Sequence, residues 1–252
     1  MVSKNKISFI TSLAQKKYRD EHNCFVAEGT RLVTDLHGHF VCRMVVATQT
    51  WATANQLPDA PEKIITDTAT FQKISSQKQP QGILAIYEKK QTGFTPECCD
   101  TELVLALDNV QDPGNLGTIL RIADWFGIRH VVCSPDSADC YNPKTVQSTM
   151  GALARVNVHY LALDNLLAGV GRNVPVYGTF LDGNPVYETP LTPYGILIMG
   201  NEGNGISPEI EKLVTSKLLI PSFPPGQPTS ESLNVGVATA IICAEFRRRM
   251  PA

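Results

Sequence analysis

Short apolar runs alternate with amphipathic stretches along the chain, a pattern that predicts strands each followed by a helix. In the second half the runs are continuously apolar, which is typical of a parallel sheet covered by helices on both faces. The strands predicted there span residues 103–107, 129–133, 156–161, 174–180, 194–199 and 218–220. The predicted helices span residues 114–126, 142–153, 164–167, 208–214 and 233–249.

The first half predicts a smaller α/β sandwich. Its apolar runs at residues 24–27, 41–47, 63–66 and 81–87 alternate with helical patterns at 7–15, 30–36 and 67–74. Between the halves, residues 88–100 carry charge, Thr, Gly, Pro and two cysteines, a composition typical of a linker. We therefore predict an N-terminal domain at residues 1–90, a linker at 91–101 and a second domain at 102–252.

Composition and charge are those of an ordinary globular protein. The chain has 252 residues and a net charge of −2, so its overall electrostatic field does not indicate nucleic-acid binding. Basic residues nevertheless cluster near both ends. The start has no apolar signal region, and no apolar run reaches membrane-spanning length. Seven scattered cysteines without a CxxC pair favour reduced thiols and a cytoplasmic location. The five histidines show no metal-ligand spacing, so no metal is assigned.

Three polar or glycine-rich clusters each follow an apolar run, at residues 108–121, 199–206 and 220–235. Such clusters at the carboxyl ends of parallel strands predict one shared site. Taken singly, each is ambiguous. The first, taken alone, is more typical of a helix cap with a surface arginine. The second is GxxGxG rather than the dinucleotide fingerprint GxGxxG and is also typical of a surface loop. The third begins a long helix, with Glu231 and Ser232 as expected caps.

Together and in this order, the three clusters resemble the motifs of the SpoU (TrmH-like) branch of the SPOUT superfamily of RNA 2′-O-ribose methyltransferases. The resemblance covers essentially all of residues 102–250. The stretches 13–19 and 25–29 are similar to the L30e-like RNA substrate-binding domain attached to many members. The resemblance implies an α/β methyltransferase domain with a deep trefoil knot, S-adenosylmethionine as cofactor and a homodimer with the active site near its interface.

The resemblance also implies roles for individual residues. By position, the cofactor contacts are Gly200, Ile220 and Leu233, completed by Thr179, Leu181 and Gly183 at the end of an earlier strand. The catalytic residues carried over are Asn115, Arg121, Glu202, Ser232 and Asn234. Arginine is often assigned as the base in this family. A guanidinium stays protonated, so we prefer Arg121 as a phosphate clamp and electrostatic stabiliser, with the proton passing to phosphate, water or Glu202.

RNA binding is expected on a basic N-terminal face of Lys16, Lys17, Arg19 and Arg31. Ribosomal RNA is favoured over transfer RNA, because the extra N-terminal domain resembles those of rRNA-modifying members. A non-catalytic RNA-binding or ribosome-assembly protein is a second alternative, and the intact motif residues argue against it. A Rossmann dehydrogenase is disfavoured by the missing GxGxxG. One departure from the family is the segment 222–231, which is longer than in many relatives and leaves the loop path near the cofactor open.

Overall fold

The computed structural model describes residues 2–90, 92–225, 227 and 230–249. They form two compact units, one of residues 1–91 with 139–154 and one of residues 92–138 with 155–252. The grouping differs from the predicted boundaries in one respect, because residues 139–154 belong with the N-terminal unit. Within the segment 222–231, residues 226, 228 and 229 lie outside the described part, as does residue 91 of the predicted linker.

The helices and strands alternate along the chain much as the pattern predicts. The strands are β1 (Cys24–Glu28), β2 (Cys42–Thr48), β3 (Glu62–Thr66), β4 (Ile83–Glu88), β5 (Leu103–Leu107), β6 (His130–Cys133), β7 (Asn157–Tyr160), β8 (Val176–Pro185), β9 (Gly195–Met199) and β10 (Ser216–Leu219). The α-helices are α1 (Lys4–Ser12), α2 (Lys16–His22), α3 (Thr30–Leu36), α4 (Gln49–Ala54), α5 (Thr68–Ile74), α6 (Pro113–Trp125), α7 (Pro143–Thr149), α8 (Leu163–Gly169), α9 (Pro208–Glu211) and α10 (Val235–Arg248).

The N-terminal unit is a four-stranded sheet with helices on both faces. Its strand order is β1-β4-β2-β3, with β3 parallel to β2 and the other pairs antiparallel. On one face α1 and α5 contribute Ile10 and Phe71 to a core shared with Leu84 of β4. On the other face the hydroxyl of Tyr87 donates to the carbonyl of Val33 in α3. The predicted small α/β sandwich is therefore present.

Residues 139–154 join this unit through charge and aromatic packing. The Asp139 carboxylate pairs with the guanidinium of Arg19, and the ring of Tyr141 lies 4.7 Å from that of Phe25. The predicted helix of residues 142–153 is shorter than expected. It ends at Thr149 because Met150 takes the left-handed conformation, and a 3-10 turn follows at Ala152–Ala154.

The second unit holds a six-stranded, fully parallel sheet in the order β10-β8-β9-β5-β6-β7. Strands β5 and β9 are buried along their whole length, as continuous apolar runs predict. Cys99, from the 3-10 helix Pro96–Asp100, is buried in the core of this unit. Residues 92–101 therefore begin the second unit, whereas their mixed composition predicted a linker.

Helices α6 and α10 pack side by side and run in the same direction. Near their N-termini, a Cβ added to Gly236 would lie 3.1 Å from Thr118, so glycine permits the close approach. At the other end, Arg247 of α10 donates to the carbonyl of Phe126, 2.7 Å away, at the end of α6. No helix in the described part of the chain is long and apolar enough to cross a bilayer. The trefoil knot implied by the resemblance stays a prediction.

Candidate active site

The three polar clusters follow strands that lie close together in one parallel sheet. β5 and β9 are direct neighbours, and β8 separates β9 from β10. Because all these strands are parallel, the segments after Leu107, Met199 and Leu219 leave the sheet at the same edge. The sequence prediction that the clusters meet at one edge agrees with this topology.

Two helices begin at this edge, each capped by a polar side chain. The Asp112 carboxylate caps α6 by accepting from the amide of Asn115 at 2.8 Å. Asn234 caps α10, since its Oδ1 accepts from the amides of Gly236 at 2.9 Å and Val237 at 3.3 Å. The expectation that Glu231 and Ser232 cap the last helix is therefore wrong. The helix begins at Val235, and Asn234 is the residue in reach of its free amides.

A chain of side-chain hydrogen bonds joins the three motifs. Asn234 Nδ2 donates to Asn115 Oδ1 over 3.0 Å, and Asn115 Nδ2 donates to Glu202 Oε1 over 2.9 Å. The two ends of the Asn115 amide are thus both engaged, which fixes its orientation. The effect is to hold the Glu202 carboxylate, on an otherwise exposed glycine loop, at the N-termini of α6 and α10. Helix N-termini favour a negative charge.

Beneath this chain, three further polar residues hold the first two motif loops together. Buried Asp108 accepts from the amide of Ser207 at 2.7 Å and from the Asn109 side chain at 3.1 Å. Asn201 Nδ2 donates to the carbonyl of Asn109 at 2.7 Å, and its Oδ1 accepts from two amides of its own loop. Sequence reasoning did not assign roles to Asp108, Asn109 or Asn201. The signal available for Asp108 was an acidic residue directly after a fully apolar strand.

Arg121 and Ser232 are not joined to this chain. At about 100° per helical residue, Arg121 lies about 240° around α6 from Asn115. It shares an exposed face with Thr118 and Trp125. Ser232 is exposed in the segment before α10. Among the described residues, neither of these two side chains forms a hydrogen bond or ion pair with another.

The residues predicted for the cofactor lie in or after β8, β9 and β10. Strand β8 continues past its predicted end at residue 180, so Leu181 and Gly183 lie inside it together with Thr179. They occupy a bulge, because Lys217 pairs with Gly178 whereas the next residue of β10 pairs with Asn184. Bulges of this kind redirect side chains beside active sites.

Lys217 anchors the bulge from the neighbouring strand. Its ammonium donates to the Asp182 carboxylate at 3.0 Å and lies 4.6 Å from the centre of the Phe180 ring. Hydrogen bonds to Glu211 and then Asp182 raise the pKa of Lys217, and the bond from Lys217 lowers the pKa of Asp182. The bulge is thus held in place by a fixed positive charge.

Gly200 closes the same edge by backbone contact alone. A Cβ at this position would lie 2.2 Å from the carbonyl carbon of Gly205, so no side chain fits. Ile220 is half-buried directly after β10, and Leu233 keeps 48% of its surface exposed. Leu181 is 76% exposed. The edge therefore combines closely spaced backbone with exposed apolar side chains.

The basic residues predicted for RNA divide into two groups. Lys16, Lys17 and Arg31 are exposed, and Arg31 has Asp35 3.7 Å away. Arg19 is only 2% exposed, and its guanidinium is occupied by Asp139 and by two main-chain carbonyls. The prediction that Arg19 lies on a basic RNA-binding face is therefore wrong. Its counter-ion is Asp139, which lies far away in the sequence, and this pairing allows the guanidinium to be buried.

Comparison with known proteins finds matches to RNA methyltransferase families in both halves of the chain. Residues 102–244 match the SpoU rRNA Methylase family, and residues 4–85 match the MRM3-like substrate binding domain. The chain is 31% identical over 245 residues to the 23S rRNA (guanosine(2553)-2′-O)-methyltransferase RlmP of Bacillus subtilis, covering 96% of both proteins.

Solved structures agree over the full length. A TrmH-family protein from Porphyromonas gingivalis superposes with a TM-score of 0.88 at 43% identity, covering 99% of this chain and 100% of that one. An AdoMet-bound rRNA methyltransferase from Sinorhizobium meliloti superposes with a TM-score of 0.85 at 27% identity, covering 100% of this chain and 98% of that one. With its three motifs at one sheet edge and a family match over more than half its length, the chain belongs to the SpoU rRNA methylase family.

Proposed function

We propose that this protein transfers a methyl group from S-adenosylmethionine to a ribose 2′-hydroxyl of ribosomal RNA. The observation that carries the proposal is the hydrogen-bonded chain from Asn234 through Asn115 to Glu202, which unites one residue from each motif. A ribosome-assembly protein without catalysis has no need of an oriented carboxylate at this position. The names of the relatives, which include several rRNA 2′-O-methyltransferases, support the same reaction.

The residues at the sheet edge fit the proposed cofactor. Gly200 and Gly183 leave no room for side chains, since a Cβ on Gly183 would lie 2.7 Å from the carbonyl carbon of Leu218. These glycines let neighbouring main-chain segments pack closely, which brings main-chain donors and acceptors together at the sheet edge. Exposed Leu181 and Leu233 offer apolar contact to an adenine ring or a thioether chain. The relative from Sinorhizobium meliloti, named as AdoMet-bound, supports this assignment.

When bound, S-adenosylmethionine supplies an electrophilic methyl group on a sulfonium centre. The protein's own task is to orient the ribose and to remove the hydroxyl proton, and orientation alone contributes much of such a rate. Glu202 is the proposed proton acceptor. Its Oε1 is held by Asn115, and no described residue hydrogen-bonds its Oε2. Arg121 is exposed and carries a guanidinium group, so it is proposed to bind an RNA phosphate and stabilise the developing alkoxide.

The RNA is proposed to be 23S rRNA, with a guanosine as the methylated nucleotide. Relatives covering most of the chain are named for guanosine in 23S rRNA, among them RlmP of Bacillus subtilis and RlmB of Neisseria meningitidis. The match of residues 4–85 to a substrate-binding domain supports RNA delivery by the N-terminal unit. Transfer RNA remains the alternative substrate that the same experiment tests.

A homodimer in the cytoplasm is also proposed. Trp125 on α6 is 83% exposed, and Val237 on the adjoining α10 is 50% exposed. Tryptophan is enriched at protein interfaces, and a second copy that covers Trp125 would leave Arg121, one turn earlier on α6, beside the interface and available to RNA. No disulfide joins any of the seven cysteines, all of which lie in the described part of the chain, and this supports a reducing compartment. Trp125→Glu should convert a dimer to a monomer in size-exclusion chromatography with light scattering, and an unchanged mass would contradict the use of this face.

The test of the reaction is methyl transfer from labelled S-adenosylmethionine to unmodified 23S rRNA and to unmodified tRNA. Asn115→Ala should abolish transfer, whereas Asn165→Ala, at an exposed position of α8, should not. Primer extension then maps the nucleotide. Label only in tRNA would contradict the proposed substrate. Cofactor binding without label in any RNA would contradict the reaction, and no cofactor binding would favour a non-catalytic RNA-binding protein.

A further inference from the structure

A recess in the N-terminal unit lies outside the active site and has no role in the reaction proposed above. It is partly open to solvent, and its lining includes Gly29, Arg31, Leu32, Gln81, Gln147 and Met150. The first four come from the N-terminal residues, whereas Gln147 and Met150 come from the segment 139–154. The recess is therefore built only when that segment joins the unit.

Two amide groups in the lining are oriented as hydrogen-bond donors. Gln81 Oε1 accepts from the amide of Thr30 at 3.1 Å, and Gln147 Oε1 accepts from Gln77 Nε2 at 3.0 Å. With both oxygens engaged, each Nε2 group is left to donate. Among the described residues, neither Nε2 has a hydrogen-bond partner. Gly29 makes the arrangement possible, because its φ is +103° and a Cβ there would lie 3.1 Å from Gln81 Oε1.

The other lining residues supply the positive charge of Arg31 and the apolar side chains of Leu32 and Met150. The one acidic residue of the lining, Glu28, is only 4% exposed, and its carboxylate already accepts from Ser75 and Ser76. Leu32 is buried, while Met150 is 39% exposed and held at a φ of 49°, which non-glycine residues rarely adopt. The recess thus presents donors and apolar contacts, with few free acceptors.

We propose that this recess receives one unpaired nucleobase of the RNA substrate, an inference that rests on the proposed function. The base's acceptor-bearing edge faces Gln81 and Gln147 Nε2, its ring lies against Leu32 and Met150, and Arg31 binds a neighbouring phosphate. Side-chain amide groups donate hydrogen bonds to acceptors on base edges, and proteins select RNA mainly through bases that are not paired.

The test compares Gln147→Met with Gln72→Met in the full-length protein, using an unmodified 23S rRNA transcript as the probe. Gln147→Met removes the amide donors at similar length, and Gln72 is an exposed residue of α5 outside the recess. We expect Gln147→Met to raise the Kd for the transcript about tenfold, with the salt dependence of Kd unchanged because no charge is lost. Gln72→Met should bind like wild type. Short-wavelength irradiation of the wild-type complex should cross-link RNA to the peptide containing Met150.

Kinetics separate this site from the active site. Gln147→Met should raise KM for the RNA about as much as Kd, while kcat at saturating RNA and the affinity for S-adenosylmethionine stay at wild-type values. Equal Kd values for the two variants would overturn the base site, and so would cross-links found only in peptides without Met150. Either result would favour a different ligand for the recess, such as a peptide. If Gln147→Met weakens binding and the cross-link forms but wild type transfers no methyl group, the base site stands and the proposed reaction fails.

Discussion

The ion pair between Arg19 and Asp139 gives the strongest prediction about stability. Arg19 donates from Nε and Nη2 to Asp139 Oδ2 over 3.1 and 2.6 Å, and from Nη1 to the carbonyls of Leu13 and Ala14 over 2.9 and 2.8 Å. Its side chain is 2% exposed and that of Asp139 is 16% exposed. Asp139→Ala would leave a buried guanidinium with two carbonyls but no counter-charge.

Removing one partner of a buried ion pair costs about 3–5 kcal/mol, because the remaining charge is desolvated without compensation. Asp139 keeps some contact with water, so we expect Asp139→Ala to lower the free energy of unfolding of the N-terminal unit by about 3 kcal/mol. Arg19→Met removes the charge as well as its bonds. The double variant should therefore be more stable than the sum of the single losses predicts, by at least about 1 kcal/mol.

The assay is urea unfolding at neutral pH, followed by the fluorescence of Trp51 in α4. The chain has two tryptophans, so a Trp125→Phe background makes Trp51 a reporter of the N-terminal unit alone. The matched control is Asp59→Ala, because the ion pair of Asp59 with Lys63 is exposed, and we expect no measurable change. If Asp139→Ala behaves like this control, the pair is not desolvated and the reasoning is refuted.

Three further predictions concern catalysis and pH. Glu202→Gln keeps the acceptor for Asn115 and removes the charge, so kcat should fall about 10²–10⁴-fold with unchanged cofactor affinity, and near-wild-type kcat would exclude Glu202 as the proton acceptor. Burial lowers the pKa values of both His130 and His159, whose ring nitrogens lie 3.1 Å apart. The contribution of these histidines to stability should be complete above pH 6.5 and should be lost below it, because the unfolded chain binds protons at a higher pH than the folded chain. His159→Phe should reduce the difference in melting temperature between pH 7.5 and pH 5.5. Hydrogen bonds from two arginines hold the pKa of Glu245 at about 2, so denaturant midpoints should fall as pH drops from 4.5 towards 2, and Glu245→Gln should flatten this loss.

The parts of the fold that are determined by residues close together in the sequence could be predicted from it. Strand β5 matches its prediction at both ends, because a fully apolar run between polar residues fits only a buried strand here. The helix predicted at residues 67–74 is present as α5, and the Asp67 carboxylate caps it by accepting from the amide of Thr70. In both cases the signal and the structure lie within a few residues of each other.

The features that sequence did not predict depend on residues far apart in the chain. The burial of Arg19 requires a partner 120 positions later, and a basic residue beside other basic residues looks exposed until that partner is known. The bulge of β8 is produced by the register of β10, which periodicity within β8 does not encode. The candidate site was predictable because its residues sit in three compact motifs. The contacts of Asp108 and Asn201 beneath them were not, since neither residue type is distinctive alone.

The chain passes between the two units three times, after residues 91, 138 and 154. A chimera made by exchanging only the first 90 residues with a relative would separate the donor's Arg19 from its own Asp139, and would combine Gln81 with a foreign residue at position 147. Gene fusion at the apparent domain boundary is therefore a poor way to change RNA specificity in this protein. The exchangeable element is discontinuous, and both of its pieces must move together.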